Sequence, residues 1–393
     1  MMKINLPKLI IDNKKATYLV AIDLKEETKE LYFQVDVEYA EMISLSGDAA
    51  LAGLIVQAMY LGEDIEIDAP VSSELLYAFK GSFQVLMCEA IPFLNNIEIR
   101  ASHVHAQDKK NGVATGFSGG VDSFSTLVEY LSSDMPEHLR LTHLVFNNVG
   151  SHGGGGETLF EERYARISPL VKNIGLPFIK CNSNLDEFYS KRLNFQLTHT
   201  VRNASAAMVL QNEIGTFLYS SAYGFSEINI NCGNDIAKID PLSFQYLSSE
   251  HLKFISAGAH LYRVDKTIQI SKYETSFDNL DVCVSSTIGN CSKCFKCLRT
   301  MLTFEICQQL EKYQNVFDLD VYKKYRLSYM AEVIVGSDSF SSEIRQFAKR
   351  HGFKFPLYAY LLIPFTVKAL KVLPVIYQIR QYKKSRKSYI FRR

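Results

Sequence analysis

Thr115-Gly-Phe-Ser-Gly-Gly-Val-Asp-Ser-Phe-Ser125 is the stretch on which the fold turns. Val113 to Phe117, which leads into it, is short, apolar and strand-like. Asp122 to Leu131, which follows, places Phe124, Leu127, Val128 and Leu131 on one helical face. The centre of the stretch, Ser118-Gly-Gly-Val-Asp-Ser123, is thus predicted to sit on a strand-to-helix turn. Two adjacent glycines let the backbone fold tightly and aim its N–H groups at one point. The new helix adds unpaired N–H donors and the positive end of its dipole. Ser118, Ser123 and Ser125 add hydroxyls. Such a cradle suits an anion, and the anion expected is a phosphate.

Several classes are excluded or disfavoured at once. With 393 residues and a formal net charge of +1, the chain is long enough for two or three domains and has no global field drawing it to nucleic acid. Met1-Met-Lys-Ile-Asn-Leu-Pro7 lacks the apolar core and small-residue cleavage site of a secretory leader. Of eight cysteines, four cluster at positions 283, 291, 294 and 297, while Cys88, Cys181, Cys232 and Cys307 are scattered. That distribution predicts a metal site in a reducing, cytoplasmic compartment rather than a disulfide framework.

The first segment, residues 1–110, reads as a small α+β domain. Lys15 to Ile22 and Leu31 to Tyr39 are predicted strands, the second alternating Leu31, Phe33, Val35 and Val37 with polar neighbours. Gly47 to Gly62 and Ser72 to Cys88 are predicted helices, and Ile65 to Asp68 and Ile97 to Ala101 short strands. The segment carries no chemical constellation, so a lid or interaction role is expected. His103 and His105 would share a strand face, but with no further ligand nearby they read as linker histidines. Ala106 to Gly112 is polar and turn-like and marks the boundary.

The second segment, residues 111–305, alternates strands and helices. Leu141 to Asn147, Pro177 to Cys181 and Thr216 to Ser220 are strands; Glu157 to Ile174 and Arg202 to Glu213 are helices. This order implies an α/β fold, a parallel sheet with helices on both faces. Ligands of such sheets bind at the carboxyl ends of the strands, where the phosphate loop and the glycine-rich loop Gly150–Gly156 both fall. Gly153-Gly-Gly-Gly156 fits either a flap over the ligand or a plain connector. Arg202 and Asn203 are expected in the first turn of their helix, near the cleft. Arg263 and Lys266 suit either a solvated helix face or cations that neutralise phosphates.

Cys283-x7-Cys291-x2-Cys294-x2-Cys297 can surround one ion with four thiolates, which suits Zn²⁺ in a closed, structural site. An iron–sulfur cluster, which also takes four cysteines, is the rival.

Ser118-Gly-Gly-x-Asp-Ser123 resembles the signature of the PP-loop family, the N-type ATP pyrophosphatases, whose fold places this loop after the first strand of a parallel sheet. The resemblance implies an adenine nucleotide α-hydrolase-like fold, cleavage of ATP between its α and β phosphates, and adenylation of a substrate oxygen. It implies nucleotide contacts from Ser118, Gly119, Gly120, Asp122 and Ser123, with Mg²⁺ near Asp122, and an adenine site at Phe146 and Asn147. Together with Arg202-Asn-Ala204, Pro241-Leu242, Lys266 and the cysteine pattern, residues 113–305 resemble the 7-cyano-7-deazaguanine synthases, in which an activated carboxylate is attacked by ammonia. Asp122, Ser123, Arg202 and Lys266 are then the catalytic candidates, and Arg263 a phosphate contact. Phe146-Asn-Asn-Val-Gly150 and Ala222 to Asn229 depart from that family's pattern, so the nucleotide chemistry is implied and the acceptor is not. A non-catalytic nucleotide-binding module and a tRNA-modifying enzyme are the alternative functions.

The third segment, residues 306–393, is a helical, aromatic-rich extension. Leu357 to Tyr377 is apolar but interrupted by Pro364, Lys368, Lys371 and Pro374, which argues against a membrane span. The last fourteen residues hold seven lysines and arginines and no acid. They read as a solvated tail, or as a basic tail that meets a membrane surface or a protein partner.

Overall fold

The computed structural model describes residues 1–101, 104–105, 109–152, 156–283 and 289–366. His103, the side chain of His105, Gly153 to Gly155 and the basic stretch 380–393 lie outside the described residues. The strands are β1 (Met2–Ile4), β2 (Lys8–Ile11), β3 (Lys15–Asp23), β4 (Thr28–Asp36), β5 (Ile65–Ile67), β6 (Val71–Ser72), β7 (Ile99–Ala101), β8 (Val104–His105), β9 (Gly112–Gly116), β10 (His143–Asn148), β11 (Phe178–Ser183), β12 (Ile214–Ser220) and β13 (Lys253–Ala257). The helices are α1 (Asp48–Leu61), α2 (Ser73–Lys80), α3 (Ser82–Ala90), α4 (Val121–Tyr130), α5 (Gly156–Ile174), α6 (Phe195–Val209), α7 (Asp240–Leu247), α8 (Arg263–Ile270), α9 (Phe295–Ile306), α10 (Leu319–Val335) and α11 (Ser339–Arg350). The chain divides into two compact units, Met1–Leu280 and Asp281–Arg393.

The first unit is an α/β structure built on one mixed sheet of eleven strands. Its order is β13-β12-β9-β10-β11-β4-β3-β1-β5-β7, with β2 added beside β3. From β13 to β11 every pair is parallel. Chain order reverses at β9: β10 and β11 lie to one side of it, β12 and β13 to the other. In open parallel sheets the carboxyl ends of strands at such a reversal are the usual ligand position. β4 joins antiparallel to β11, Gln34 facing Asn182, so β1 to β5 and β7 continue the same sheet, while β6 and β8 pair in a separate two-stranded sheet.

The two faces follow from strand alternation. Ser220 bonds Thr126 on α4, while its neighbour Tyr219 meets His199 on α6 and Phe244 on α7. Phe146 stacks on Phe160 of α5, while Asn147 bonds Asn203 of α6. Helices α4 and α5 thus cover one face and α6 and α7 the other. α1 packs against α6. From Asp48 to Met59 every residue of α1 is buried, which explains its Ala- and Leu-rich sequence. The two helices approach closely because their contact residues are small: a Cβ on Gly53 would stand 2.8 Å from the Ser205 hydroxyl, which donates to the Ala49 carbonyl at 2.6 Å.

Three expected boundaries are corrected. The helix expected from Ser72 to Cys88 breaks at Gly81, whose φ of −137° and ψ of −98° separate α2 from α3. β4 ends at Asp36, and Val37–Met42 turns into a 3₁₀ helix. α6 begins at Phe195, not Arg202: the Asn194 side chain accepts from the Leu197 N–H at 3.2 Å and caps it. Arg202 and Asn203 therefore lie in its middle turns.

The second unit is helical. Within it Arg326 forks onto Glu305, and the Arg299 guanidinium lies 3.9 Å from the centre of the Phe340 ring. A further helical segment occupies 357–366. No helix among the described residues is long and apolar enough to cross a membrane.

Candidate functional site

β9 ends at Gly116, and Phe117 is fixed by its N–H to the Val145 carbonyl at 2.8 Å and by an edge contact with Phe124 at 5.2 Å. The chain then turns through Gly119, whose φ of +74° is the left-handed conformation that glycine adopts without strain. α4 starts at Val121, and no side chain caps it. Its first N–H groups are those a helix leaves unpaired, and they follow directly on Ser118 to Gly120. Ser123 donates to the Gly120 carbonyl at 3.1 Å and so braces the turn rather than pointing away from it. Ser118 is exposed.

The structure brings Asp122, Arg263 and Lys266 together. Arg263 Nη2 is 2.7 Å from Asp122 Oδ2, and Lys266 Nζ is 3.5 Å from Asp122 Oδ1, an ion pair without a hydrogen bond. Lys266 is buried and donates to the Ser221 carbonyl at 2.5 Å and to the Ser221 hydroxyl at 2.8 Å. Burial pulls its pKa below the usual lysine range, and Asp122 opposes that shift. Room for Lys266 comes from Gly258, just beyond β13, with φ +71°. A Cβ there would stand 3.2 Å from Lys266 Cε. The site therefore has an uncapped helix start, one carboxylate and two cations, one of which is nearly dry. Asp122 Oδ1 and Arg263 Nε are buried without hydrogen-bond partners among the described residues. Such orphaned groups mark a place where a polar ligand completes the bonding.

Other sequence candidates are placed differently. Arg202 is buried, and its partners are Asp186, Thr198 and the carbonyls of Val149 and Leu193, none of them in the phosphate loop. Its guanidinium also lies 3.8 Å from the centre of the Tyr189 ring. Gly150, with φ +98°, leaves it space: a Cβ there would come 2.5 Å from Arg202 Nη1. Arg202 thus pins the loop after β10 to α6. The Phe146 side chain is packed among Phe160, Tyr164 and Phe178, so only its backbone faces the strand end. Asn147 points the other way, donating to Asn203 Oδ1 at 3.2 Å, with its own Oδ1 buried and unpaired.

A second polar group lies past the carboxyl end of β12, on the α6 face, and sequence inspection did not single it out. His199 Nδ1 is 2.8 Å from the Tyr219 hydroxyl, and Nε2 is 3.4 Å from Asp235 Oδ1. Tyr223 donates to Asp235 Oδ2 at 3.1 Å. Thr200, next to His199, donates to the buried Asp240 at 2.6 Å. Burial pushes Asp240 up to about 6 and Tyr219 well above the usual tyrosine range. These residues are scattered over forty positions as single polar letters, so spacing alone could not join them.

In the second unit, the Sγ atoms of Cys283, Cys291, Cys294 and Cys297 all lie within 4.8 Å of one another. Cys283 to Cys294 is 4.0 Å and Cys294 to Cys297 3.5 Å. Thiolates bound tetrahedrally at about 2.3 Å are separated by about 3.8 Å, so the four could hold a metal ion such as zinc. The knuckle is built locally. Ser292 adopts φ +55°, its hydroxyl accepts from the Asp318 N–H at 2.8 Å, and Cys294 immediately precedes the first turn of α9. Asn290 accepts from the Val282 N–H at 2.9 Å and donates to the Val316 carbonyl at 3.1 Å, fixing the approach to Cys283.

Comparison of the chain with family models, with curated proteins and with solved structures gave no match.

Proposed function

We propose that the chain is a PP-loop ATP-dependent ligase that cleaves ATP to AMP and pyrophosphate, adenylating a substrate carboxylate for attack by ammonia or an amine. One observation carries this: a Ser-Gly-Gly-x-Asp-Ser turn at the carboxyl end of β9, where the strand order reverses, beside Arg263 and Lys266. The loop lacks the Gly-Lys-Ser/Thr ending of loops that serve γ-phosphoryl transfer. Gly119, Gly120 and the first N–H groups of α4 hold the departing pyrophosphate, with Ser118 as a hydroxyl donor and Ser123 as one once its hydroxyl turns from the Gly120 carbonyl. Arg263 and Lys266 neutralise charge that grows on the phosphates. Asp122, through its unbonded Oδ1, would hold the Mg²⁺ that accompanies the nucleotide, and that ion would supply charge neutralisation.

Adenylation makes the carboxylate oxygen a good leaving group. The nitrogen nucleophile forms a bond to the carbonyl carbon as the bond to AMP breaks. In this reading His199, whose ring nitrogens lie 2.8 Å from the Tyr219 hydroxyl and 3.4 Å from Asp235 Oδ1, would exchange one of these contacts for the proton that the nitrogen sheds. Zn²⁺ held by the four cysteines would be structural, since four thiolates fill its tetrahedral positions, and such a thiolate site fits a reducing compartment such as the cytoplasm.

The test is the fate of α-labelled ATP with magnesium and a panel of carboxylates, with and without ammonia. AMP and pyrophosphate are expected, and Ser118→Ala or Asp122→Ala should abolish them without changing the circular dichroism spectrum. ADP as the sole product, or full turnover by Asp122→Ala, overturns the proposal.

A further inference from the structure

The helical segment 357–366 of the second unit is inverted relative to an ordinary water-facing helix. Leu357, Tyr358, Leu361 and Phe365 are 74%, 71%, 61% and 72% exposed, and Tyr360 is 47% exposed, while small Ala359 is fully buried. Leu357, Leu361 and Phe365 recur at every fourth residue and so form one stripe along the helix. The helices before it in the same unit turn their large apolar residues inward, among them Met330, Val333, Ile344 and Phe347. A contiguous exposed apolar stripe marks a surface that meets something other than water.

Charge says what it meets. Glu343 is the last acid of the chain. Residues 344–393 carry thirteen lysines and arginines, and the residues before them carry thirty against forty-two acids. An acidic body is thus joined to a purely basic end. Lys349, Arg350 and Lys354, the described cations nearest the stripe, are exposed. Nucleic acid would satisfy the cations and leave Leu357, Leu361 and Phe365 in water. An apolar protein groove would cover the stripe and gain nothing from thirteen cations without one acid. An anionic bilayer surface satisfies both, taking apolar side chains below its headgroups and cations among them. Tyr358 and Tyr360 have the amphipathic rings that settle at headgroup level.

We infer that this helix docks in the plane of an anionic lipid surface, with the basic stretch that follows it in sequence supplying electrostatic attraction. The apolar run from Leu357 to Tyr377 is interrupted by Pro364, Lys368, Lys371 and Pro374 and falls short of the roughly 20 uninterrupted apolar residues a span needs, so the helix is placed on the membrane and not across it.

The experiment is co-sedimentation of the full chain with phosphatidylcholine vesicles, with and without phosphatidylserine, at low and high salt. Binding is expected only with phosphatidylserine and should fall as salt rises. Leu361→Glu with Phe365→Glu, both on the exposed face, should weaken it by more than about tenfold, the factor set by losing one buried apolar side chain, with an unchanged melting curve. Deleting 380–393 should weaken it as well. Three outcomes overturn the inference: the chain stays in the supernatant with both vesicles; the double glutamate variant binds as before; or the chain binds duplex DNA or tRNA, or forms dimers that this variant abolishes, while ignoring vesicles. ATP cleavage is not part of the readout, so the nucleotide proposal stands or falls separately.

Discussion

Arg263, at the start of α8, holds Asp122, in the first turn of α4, at 2.7 Å. In the proposed function a carboxylate beside the phosphate cradle would repel the nucleotide, and this pairing would offset that charge. With Lys266 added, the trio carries one net positive charge. Arg263→Ala would remove the partner of Asp122 and, in the proposed function, a phosphate contact as well. We expect affinity for a non-cleavable ATP analogue to fall by about ten- to a hundredfold, the range for charged hydrogen bonds. Adding Asp122→Asn should recover part of the loss, because the unpaired acid is then gone. Isothermal titration of wild type, both single variants and the double variant measures this coupling. An unchanged dissociation constant in Arg263→Ala would limit Arg263 to orienting the loop.

Gly258 sets the position of Lys266. Its φ of +71° disfavours any L side chain, and a Cβ there would stand 3.2 Å from Lys266 Cε. Gly258→Ala should cost about 1–2 kcal/mol from the backbone alone. It should also displace Lys266 from Ser221, lowering the rate of AMP formation more than Gly175→Ala, which has φ +80° but open space around its Cβ position. Thermal melting and turnover of the two variants separate backbone strain from loss of the lysine.

The strand–turn–helix around Ser118 was legible because two periodicities meet at a glycine pair, and both are local. The four cysteines were legible because a tetrahedral thiolate set leaves a short spacing pattern. Arg202 was misjudged for a physical reason: the chain before it, Thr198-His-Thr200, looks polar and loop-like, and the cap that starts the helix is a lone Asn194. Its polar letters face His–Tyr, Thr–Asp and Arg–Asp partners instead of water. The continuation of the sheet from β11 into β4 joins positions about 150 apart, and no local pattern encodes such a pairing.

The metal should be zinc, at about one ion per chain, bound by Cys283, Cys291, Cys294 and Cys297. Chelation or Cys294→Ala should release it and lower the melting temperature of the second unit, because Ser292 and Asn290 hold the knuckle to the residues that follow it. Elemental analysis with a melting curve reads both effects. Iron with sulfide, or unchanged zinc in Cys294→Ala, would assign the thiolates to a different role.

Asp240 makes stability depend on pH, with a sign that can be worked out. It is 1% exposed, accepts from Thr200 through one oxygen, and has no partner for the other among the described residues. Burial raises its pKa from 3.8 to about 6. The folded state thus holds this proton more tightly than the unfolded chain does. The stability linked to that proton is fully present below pH 3.8 and is lost as pH rises through about 6. Above that window the buried charge costs about 3 kcal/mol. Asn in place of Asp keeps the acceptor for Thr200 and carries no charge. Asp240→Asn should therefore be more stable than wild type near pH 7, by up to about 3 kcal/mol, and the gap should close to below about 1 kcal/mol near pH 4. Urea melts of the two proteins at both pH values measure the gap. A gap that is equal at both, or larger in acid, would show that Asp240 is charged in the fold and held by a partner it acquires only in solution.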